Sequence, residues 1–528
     1  MNNLKHGLML MMATGASLTS AYSFADVASS TQQYGSYVIL GQNPAGGNVA
    51  IARTVIQSNL TCPTVSPVNS QSSPQTATPL SMITRDNPNH FPVIVCEALI
   101  AFDQSYQLNF FDQNITLPTA KSNPQHIQVF GDTGCKSSDC ATGTAAEPFK
   151  SLADSGASDN PDLILHMGDY NYRGTGGELT LTMKNASGQL AQTPQWPYDA
   201  GDSLSQASHC GQSPTSAYYS QSAVNSNRPD SWQNWQDDLF MASQDLMLAA
   251  PWVVVRGNHE LCSRAGPGYF YFLDPHSNLV PGQQQLSCPA VDMTKSVMTN
   301  TVQIANYIVS FDSLDIAVID SANACDSFTD TPFQQRYNQV FSDLNSQMSN
   351  SKNDTWLITH RPIWGVQEFD ASESVYCSDA KQYSCINQMM QKAIAKQPAG
   401  SLPDEVKLVL TGHMHKFESV SFSQGNNPPS LIVGSSGVEL SGSEPAPSAQ
   451  VKINGQTSSV LTTNTQVSKN NVTYDAFGYM NIQFDGSGQW QGQLVNPGAK
   501  LTLANCSSKA NLAQGICELA SGVMVVAE

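Results

Sequence analysis

Five short polar stretches along the chain carry side chains of the kinds that bind metal ions. They are Gly131-Asp132-Thr133-Gly134, Gly168-Asp169-Tyr170-Asn171-Tyr172, Gly257-Asn258-His259-Glu260, Thr359-His360-Arg361 and Gly412-His413-Met414-His415. Together they offer carboxylates, imidazoles, an amide and a phenol, which are hard oxygen and nitrogen donors. Two metal ions about 3.5 to 4 Å apart can neutralise phosphate oxygens, orient phosphorus and supply hydroxide. The chemistry that these residues would support is therefore two-metal hydrolysis of phosphate esters.

Each of these stretches follows an apolar run that has the length of a buried strand. The runs His126–Phe130 and 162–167 precede the first two stretches, and a helix candidate at 146–157 lies between them. That order is typical of a parallel β-α-β unit. Ligands of such sheets collect beyond the carboxyl ends of the strands. We therefore expect the five stretches to converge on one site.

Taken singly, each motif is weak. A Gly-Asp pair is a common turn, a His-x-His pair such as His413 and His415 is more often a coincidence, and His259 alone fits a packed core histidine equally well. The combination, with every motif after an apolar run, is hard to obtain by chance. Beside Asn258, His259 is placed to donate a hydrogen bond or proton to the phosphate or the leaving oxygen. Glu260 is then expected to orient an imidazole.

The ordered motifs resemble those of the calcineurin-like metallophosphoesterases, and specifically their purple acid phosphatase branch. Gly131-Asp132-Thr133-Gly134 lacks the histidine of the Gly-Asp-x-His form, whereas Gly168-Asp169-x-x-Tyr172 carries a tyrosine. In the purple enzymes a phenolate takes the place of that histidine, and phenolate favours ferric iron. The resemblance covers about residues 126–497 and implies an α/β fold, a four-layer α/β/β/α sandwich. Tyr170 is a departure that offers a second phenol, but the motif spacing selects Tyr172.

The resemblance also implies a role for each site residue. The first metal ion, Fe(III), would be held by Asp132, Asp169, Tyr172 and His415. The second ion, which would be Fe, Zn or Mn, would be held by Asp169, Asn258, His360 and His413. Asp169 would bridge the ions, and His259 would be the catalytic residue that contacts substrate. Three arginines flank the motifs and fit a phosphate contact or a solvent-facing salt bridge equally well, namely Arg173, Arg256 and Arg361.

The reaction implied is hydrolysis of phosphomonoesters by in-line attack of a metal-bound hydroxide, as in acid phosphatases, with small-molecule phosphate esters as partners. A phosphodiesterase or nucleotidase on the same scaffold is an alternative, because the metal ligands do not fix the substrate. A secreted binding or adhesion protein with a vestigial metal site is another. The complete ligand set argues against this last alternative.

The start of the chain has the features of a secretory signal peptide. Lys5 supplies positive charge, residues 8–18 are apolar, and Ser23-Phe24-Ala25 fits a peptidase site. We expect cleavage after Ala25 and a secreted or periplasmic protein. A membrane anchor is disfavoured because the apolar stretch is shorter than the roughly 20 residues of a spanning helix.

The 12 cysteines of an exported chain favour disulfides over zinc sites or free thiols. Proximity along the chain suggests four pairs, which are Cys62 with Cys96, Cys135 with Cys140, Cys377 with Cys385, and Cys506 with Cys517. The net charge of -18 disfavours nucleic acid as a standing partner.

Composition and hydrophobic pattern predict the domain organisation. The predicted parts are a signal peptide (1–25), a small N-terminal β domain (26–125), a metallophosphoesterase catalytic domain (126–497) and a C-terminal extension (498–528). A hairpin over 479–484 and 490–495 is expected to complete a second sheet with 430–433. Polar insertions occupy 174–230 and 441–471, and the first is interpreted equally well as a lid over the site or as a plain surface loop.

Overall fold

The computed structural model describes most of the chain beyond its first residues. The described ranges are 33–68, 78–88, 91–135, 148–172, 178–179, 182–184, 190–192, 196–197, 230–262, 264–288, 301–324, 326, 331–349, 351–368, 383–441, 449–510 and 515–526. The predicted signal peptide and Arg173 lie outside these ranges. Most of the insertion at 174–230 also lies outside these ranges. The structure therefore does not test whether this insertion is a lid over the site or a plain surface loop.

The first of two large sheets has 11 strands. In spatial order they are Cys517–Leu519, Leu501–Ser507, Trp490–Asn496, Tyr479–Phe484, His126–Phe130, Leu163–His166, Trp252–Val254, Gln33–Gln42, Asn48–Gln57, Val93–Ile100 and Ile83–Thr84. The central strands His126–Phe130, Leu163–His166 and Trp252–Val254 pair in parallel. They are almost wholly buried, as expected for parallel strands covered on both faces.

The second large sheet has 8 strands. Their spatial order is Tyr307–Ser310, Leu314–Val318, Asp354–Ile358, Val406–Thr411, Ser430–Val433, Phe417–Phe422, Gln456–Thr462 and Ala449–Ile453. Leu314–Val318, Asp354–Ile358, Val406–Thr411 and Ser430–Val433 run parallel. Their carboxyl ends therefore lie at one edge, as do those of the parallel strands of the first sheet.

The two sheets face each other, and helices cover their outer faces. Ile127 and Leu165 of the first sheet share one core with Ile316 and Leu408 of the second. The helices Pro148–Ser158 and Gln244–Ala249 cover the first sheet, and Thr331–Met348 and Gln388–Ala395 cover the second. Further helical segments are Trp232–Trp235, Gln236–Phe240 and Gly266–Phe272. The layers are α/β/β/α, which confirms the predicted fold class.

The N-terminal and C-terminal segments both add strands to the first sheet. Gln33–Gln42 pairs in parallel with Trp252–Val254, and Leu501–Ser507 pairs with Trp490–Asn496. A separate sheet from the N-terminal segment contains Leu80–Ser81, Thr64–Pro67, Tyr106–Phe110 and Gln113–Leu117. The predicted β-rich N-terminal segment is thus present and continues into the catalytic sheet, while the proposed domain boundaries stay predictions.

One expectation about the second sheet was wrong. The hairpin Tyr479–Phe484 and Trp490–Asn496 joins the first sheet beside His126–Phe130, whereas Ser430–Val433 does lie in the second sheet. The polar insertion at 441–471 contains two strands, Ala449–Ile453 and Gln456–Thr462, which extend the second sheet. Periodicity identified the hairpin but carried no information about which sheet it joins.

Smaller strand pairings complete the described structure. They are Val472–Asp475, Gln466–Lys469 and Val523–Val525 in one sheet, Gly365–Glu368 with Tyr383–Ile386, Glu178–Leu179 with Trp196–Pro197, and Thr182–Lys184 with Leu190–Gln192. Within the described part of the chain, no helix combines the length and apolar character needed to span a bilayer.

Disulfides join three pairs of described cysteines. Cys62–Cys96 and Cys506–Cys517 confirm two predicted pairs. Cys262–Cys288, whose members lie 26 residues apart, was not predicted. Two further cysteines are disulfide-bonded, Cys135 and Cys385, but their predicted partners Cys140 and Cys377 lie outside the described residues.

Candidate metal centre

The predicted site residues lie just beyond the carboxyl ends of parallel strands from both sheets. Asp132, Asp169 and Asn258 follow strands of the first sheet, while His360 and His413 follow strands of the second. The loops meet directly, since Nδ1 of His360 lies 2.7 Å from the carbonyl oxygen of Met167 across the two sheets. The expected convergence of the motifs is therefore what the structure has.

Sharp turns aim these side chains into the site. Asp132 and Asp169 have φ values of 58° and 55°, and His413 has 72°. Aspartate and histidine are among the non-glycine residues that adopt this left-handed conformation most often. Gly257 is required for a different reason, because a Cβ at this position would lie 2.0 Å from Oδ1 of Asp169. The glycine of the third motif thus lets two of the loops touch.

The first group of predicted ligands surrounds the hydroxyl of Tyr172. This oxygen lies 3.0 Å from Oδ1 of Asp132, 2.8 Å from Oδ2 of Asp169 and 3.1 Å from Nε2 of His415. Nε2 of His415 is also 3.7 Å from Oδ1 of Asp132. All four residues predicted for the first metal ion are therefore together.

The second group surrounds Nε2 of His360. It lies 2.9 Å from Oδ1 of Asn258 and 3.2 Å from Oδ2 of Asp169. Asp169, His360 and His413 each offer one ligand atom, and these atoms lie within 4.8 Å of one another. Asp169 belongs to both groups, which is the position that a bridging carboxylate requires.

His259 lies at the edge of both groups. Its backbone N–H donates a 2.8 Å hydrogen bond to Oδ1 of Asp169, and its ring lies 4.0 Å from that of Tyr172 between centroids. About 7% of His259 is exposed, whereas Asp132 and His360 have no exposed surface. The side chains of His413 and His415 are also partly exposed. The cluster therefore opens to solvent on the side of these three histidines.

Burial and mutual charge strongly perturb the titration of the cluster. Burial, together with the charge of Asp169, raises the pKa of Asp132 to about 8. Burial and the two carboxylates hold the pKa of Tyr172 well above its ordinary value. Burial acts to lower the pKa of His360, but Asp169 and Asp132 outweigh it and raise that pKa to about 9. Closely packed acidic groups of this kind need additional positive charge to ionise together.

The donor set fits metal ions. The Tyr172 hydroxyl has one proton, yet it lies within hydrogen-bond distance of two carboxylates and an imidazole. Positive charge among these atoms would let all of them act as acceptors at once. Carboxylate, phenolate, imidazole and amide oxygen are also the ligands expected for iron, zinc or manganese.

The same titration predicts how the stability of metal-free protein depends on pH. Asp132 and Glu260 have pKa values raised to about 8, each by burial and then by the charge of Asp169, so the folded protein keeps protons that the unfolded chain releases from about pH 4 upward. The free energy of unfolding should therefore fall as the pH rises toward 8, by roughly 1.4 kcal/mol per pH unit for each of these two groups. Metal ions displace these protons, so the metal-loaded protein should lose this trend.

Denaturant unfolding of chelator-treated and metal-loaded protein at a series of pH values between 5 and 8 measures the effect. Metal-free protein that becomes more stable across this range would contradict the assigned titration.

The contacts of Glu260 differ from those expected of a residue that orients an imidazole. Its Oε2 accepts hydrogen bonds of 3.0 Å from the backbone N–H groups of Asp169 and Gly257, and its Oε1 accepts one of 2.9 Å from that of Tyr170. These contacts are with backbone, so Glu260 holds the second and third motif loops together instead of orienting an imidazole. Sequence reasoning placed the residue near the site but not its partners.

The two candidate phenols of the second motif point in different directions. The hydroxyl of Tyr170 donates to the backbone carbonyl of Val255 at 3.0 Å, and its ring packs in the core of the first sheet. Only Tyr172 of this pair reaches the two aspartates. The choice based on motif spacing agrees with this geometry.

The flanking arginines pair with buried carboxylates. Arg256 lies 2.9 Å from Asp320, and Arg361 pairs with Asp326, which also contacts His413. These salt bridges are buried, contrary to the solvent-facing alternative. Asp320 and Asp326 lie outside every motif. The sequence signal for such partners was the presence of Arg256 and Arg361 beside the motifs, since a buried arginine needs a carboxylate.

Asp238 is a further site-supporting residue that sequence analysis missed. Its Oδ2 accepts a 2.8 Å hydrogen bond from the backbone N–H of Tyr172, and its Oδ1 accepts one of 3.3 Å from that of Cys135. It thus joins the first and second motif loops from a helical segment. Nothing in the local sequence distinguishes it from its neighbour Asp237.

This arrangement of loops, carboxylates and histidines defines a metallophosphoesterase site. Residues 126–417 match the model of the calcineurin-like phosphoesterase family, and the chain belongs to that family. The family prediction is confirmed, and with it a metal-dependent phosphoesterase whose fold implies dinuclear metal binding. A search of curated proteins found no match.

The solved structures that are similar to the chain include the following two. One is a purple acid phosphatase isolated from seeds of yellow lupin (Lupinus luteus), with 12% sequence identity, a TM-score of 0.45, and coverage of 88% of this chain and 72% of that one. The other is GAP50, the anchor in the inner membrane complex of Plasmodium, with 11% identity, a TM-score of 0.33, and coverage of 72% of this chain and 87% of that one.

Proposed function

We propose that the protein is a secreted acid phosphatase of the purple type, which hydrolyses small phosphomonoesters with Fe(III) and a second Fe, Zn or Mn ion. The observation that carries this proposal is the position of the Tyr172 hydroxyl, between Asp132 and Asp169 and beside His415. A phenol in this place is the donor that distinguishes a ferric site from an ordinary zinc or manganese pair.

The proposed ligands form two sets, which correspond to the group around the Tyr172 hydroxyl and the group around Nε2 of His360. Asp132, Asp169, Tyr172 and His415 would hold the first ion, and Asp169, Asn258, His360 and His413 the second. When bound, the pair of ions supplies positive charge for the phosphate oxygens and activates the attacking water. The shared position of Asp169 supports its assignment as the bridge.

Contact with the substrate is assigned to His259, which lies at the open side of the cluster. His259 is partly exposed and is anchored through its backbone to Asp169. It would donate a hydrogen bond to the phosphate, or a proton to the leaving oxygen, as the ester bond breaks. The buried ligands Asp132, Asn258 and His360 would hold the metal ions without meeting bulk solvent.

Export is part of the proposal. Eight described cysteines are disulfide-bonded, which is typical of an oxidising compartment. This supports cleavage of the predicted signal peptide after Ala25 and a secreted or periplasmic location. Sequencing the N-terminus of the protein recovered outside the cytoplasm would test it, since a mature chain that begins elsewhere would contradict the assigned site.

Metal analysis combined with a pH profile of aryl phosphate hydrolysis tests the activity. The proposal predicts two metal ions per chain and faster turnover of the monoester than of the matched aryl phosphodiester. A preference for the diester would favour a phosphodiesterase or nucleotidase instead. Bound metal without turnover of either ester, from acid to neutral pH, would favour a binding protein with a vestigial site.

The His259→Ala variant is expected to lose turnover while it keeps its metal ions. Proton or hydrogen-bond donation by a positioned histidine contributes roughly 10²- to 10⁴-fold, so kcat should fall by at least about a hundredfold. The loss should shrink for an aryl ester whose phenol is a good leaving group, because that oxygen needs less protonation. An equal loss for good and poor leaving groups would contradict proton donation by His259.

A further inference from the structure

Asp326 lies against the candidate metal centre although no sequence motif marks it. It follows the strand Leu314–Val318 of the second sheet and is about 7% exposed. Its Oδ2 lies 3.0 Å from Nε2 of His413 and also pairs with Nη1 of Arg361. Its Oδ1 accepts a 3.0 Å hydrogen bond from Nδ2 of Asn387. Both carboxylate oxygens are therefore engaged, and the group is held in one orientation.

Asn387 is itself a fixed partner. Its side-chain oxygen accepts a 2.9 Å hydrogen bond from the backbone N–H of Met390 and thereby caps the helix Gln388–Ala395. Its amide nitrogen is left to face Asp326. Arg361 is equally constrained, because it is buried and its backbone N–H donates a 2.8 Å bond to Oγ of Ser321. The carboxylate of Asp326 is thus fixed by rigid elements.

The contact with His413 selects between the two tautomers of its ring. A carboxylate only accepts hydrogen bonds, so Nε2 donates to Asp326 only when it carries the proton. The lone pair is then on Nδ1, which becomes the ligand atom of the imidazole. Nη1 of Arg361 also lies 3.0 Å from Nε2 and would favour the opposite tautomer, but it already pairs with Oδ2 of Asp326.

We propose that Asp326 is a positioning residue that holds His413 with its proton on Nε2 and its Nδ1 lone pair available to the second metal ion. The inference rests on the proposed function, because it takes His413 as a metal ligand. Arg361 accordingly orients a carboxylate and not a substrate phosphate. Partners of this kind fix the orientation of a ligating histidine and raise its basicity.

The Asp326→Asn variant tests the proposal through metal affinity. The substitution replaces one acceptor oxygen of Asp326 by an NH₂ donor. In one orientation this donor faces the Asn387 amide nitrogen, and in the other it faces the His413 and Arg361 nitrogens, so one of these contacts is lost. Zn²⁺ is titrated into metal-free wild type and variant in competition with a chromophoric chelator. We expect one of the two Zn²⁺ dissociation constants to rise about 10- to 100-fold, with the other changed by less than about twofold.

Asp320→Asn is the matched control. Asp320 follows the same strand and forms a buried pair of the same chemistry with Arg256, but its carboxylate also accepts from the backbone N–H groups of Ile304 and Ala322 in place of an imidazole. Both variants should lose some thermal stability, but Asp320→Asn should leave both Zn²⁺ dissociation constants within about twofold of wild type. Equal responses of the two variants in the Zn²⁺ titration would overturn the role assigned to Asp326.

A measurement on the wild type keeps the test independent of variant folding. In Zn²⁺-loaded protein with ¹⁵N-labelled histidine, the ring signal that disappears in His413→Gln should show its proton on Nε2. A proton on Nδ1 would overturn the proposal while leaving the phosphatase assignment intact. Wild-type protein that binds no Zn²⁺ in the titration would overturn both.

Discussion

The Asp169→Asn variant is expected to purify without its pair of metal ions and to lose phosphatase activity almost completely. The reason is the shared position of this carboxylate, whose Oδ2 lies 2.8 Å from the Tyr172 hydroxyl and 3.2 Å from Nε2 of His360. An amide has one acceptor oxygen and no charge, so it cannot serve two cations. Because metal ions supply several kcal/mol of transition-state stabilisation, turnover should fall by at least about 10³-fold. Metal content and aryl phosphate kinetics measure both effects.

Asp162→Asn is the control for this variant. Asp162 immediately precedes the strand Leu163–His166 that leads to Asp169, and it accepts hydrogen bonds from the backbone N–H groups of Gln125 and His126. Its removal disturbs the opposite end of the strand and should leave metal content unchanged. An Asp169→Asn variant that keeps two ions and near wild-type turnover would show that the ligand assignment is wrong.

The elements that position the site were predictable from sequence because local pattern determines them. Short apolar runs gave the strand His126–Phe130 with the bounds that the structure has, and gave Leu163–His166 to within one residue at each end. Parallel order then follows from the intervening helix Pro148–Ser158. Strand direction brings the motifs of one sheet to the same edge, whereas the meeting of motifs from the two sheets also depends on how the sheets pack.

Sheet membership was not predictable in the same way. The hairpin Tyr479–Phe484 and Trp490–Asn496 was recognised from its alternation, but it pairs with His126–Phe130 and not with the strands that precede it in sequence. The edge that a hairpin joins depends on long-range packing. The parallel pairing of Gln33–Gln42 with Trp252–Val254 is a long-range contact of the same kind, and local pattern did not indicate it.

The residues that support the site were harder to predict from sequence than the strands. Asp238, Asp326 and Asn387 carry no motif, and they contact Tyr172, His413 and Asp326, which lie 66, 87 and 61 positions away in sequence, respectively. Metal-binding motifs are recognisable because chemistry restricts the residue types that can serve. A carboxylate that braces a ligand is restricted only by the shape of the surrounding fold, which sequence pattern does not encode.

The predicted colour of the protein depends on one oxygen atom. Fe(III) bound by a phenolate absorbs visible light through charge transfer from the phenolate, so the iron-loaded wild type should be coloured. Tyr172→Phe removes the only hydroxyl of the second motif that reaches Asp132 and Asp169. The visible band should therefore disappear completely, while the buried ring position and the fold are kept.

Tyr170→Phe is a closely matched control, because it removes a buried hydroxyl two residues away that donates to the backbone carbonyls of Val255 and His166. That variant should keep the band at its wild-type wavelength. Absorption spectra at equal iron content compare the three proteins directly. A band that survives in Tyr172→Phe, or that is lost in Tyr170→Phe, would remove Tyr172 from the ligand set. An iron-loaded wild type without a band would leave a zinc or manganese pair as the better description, because the phenol would then have no ferric ion to bind.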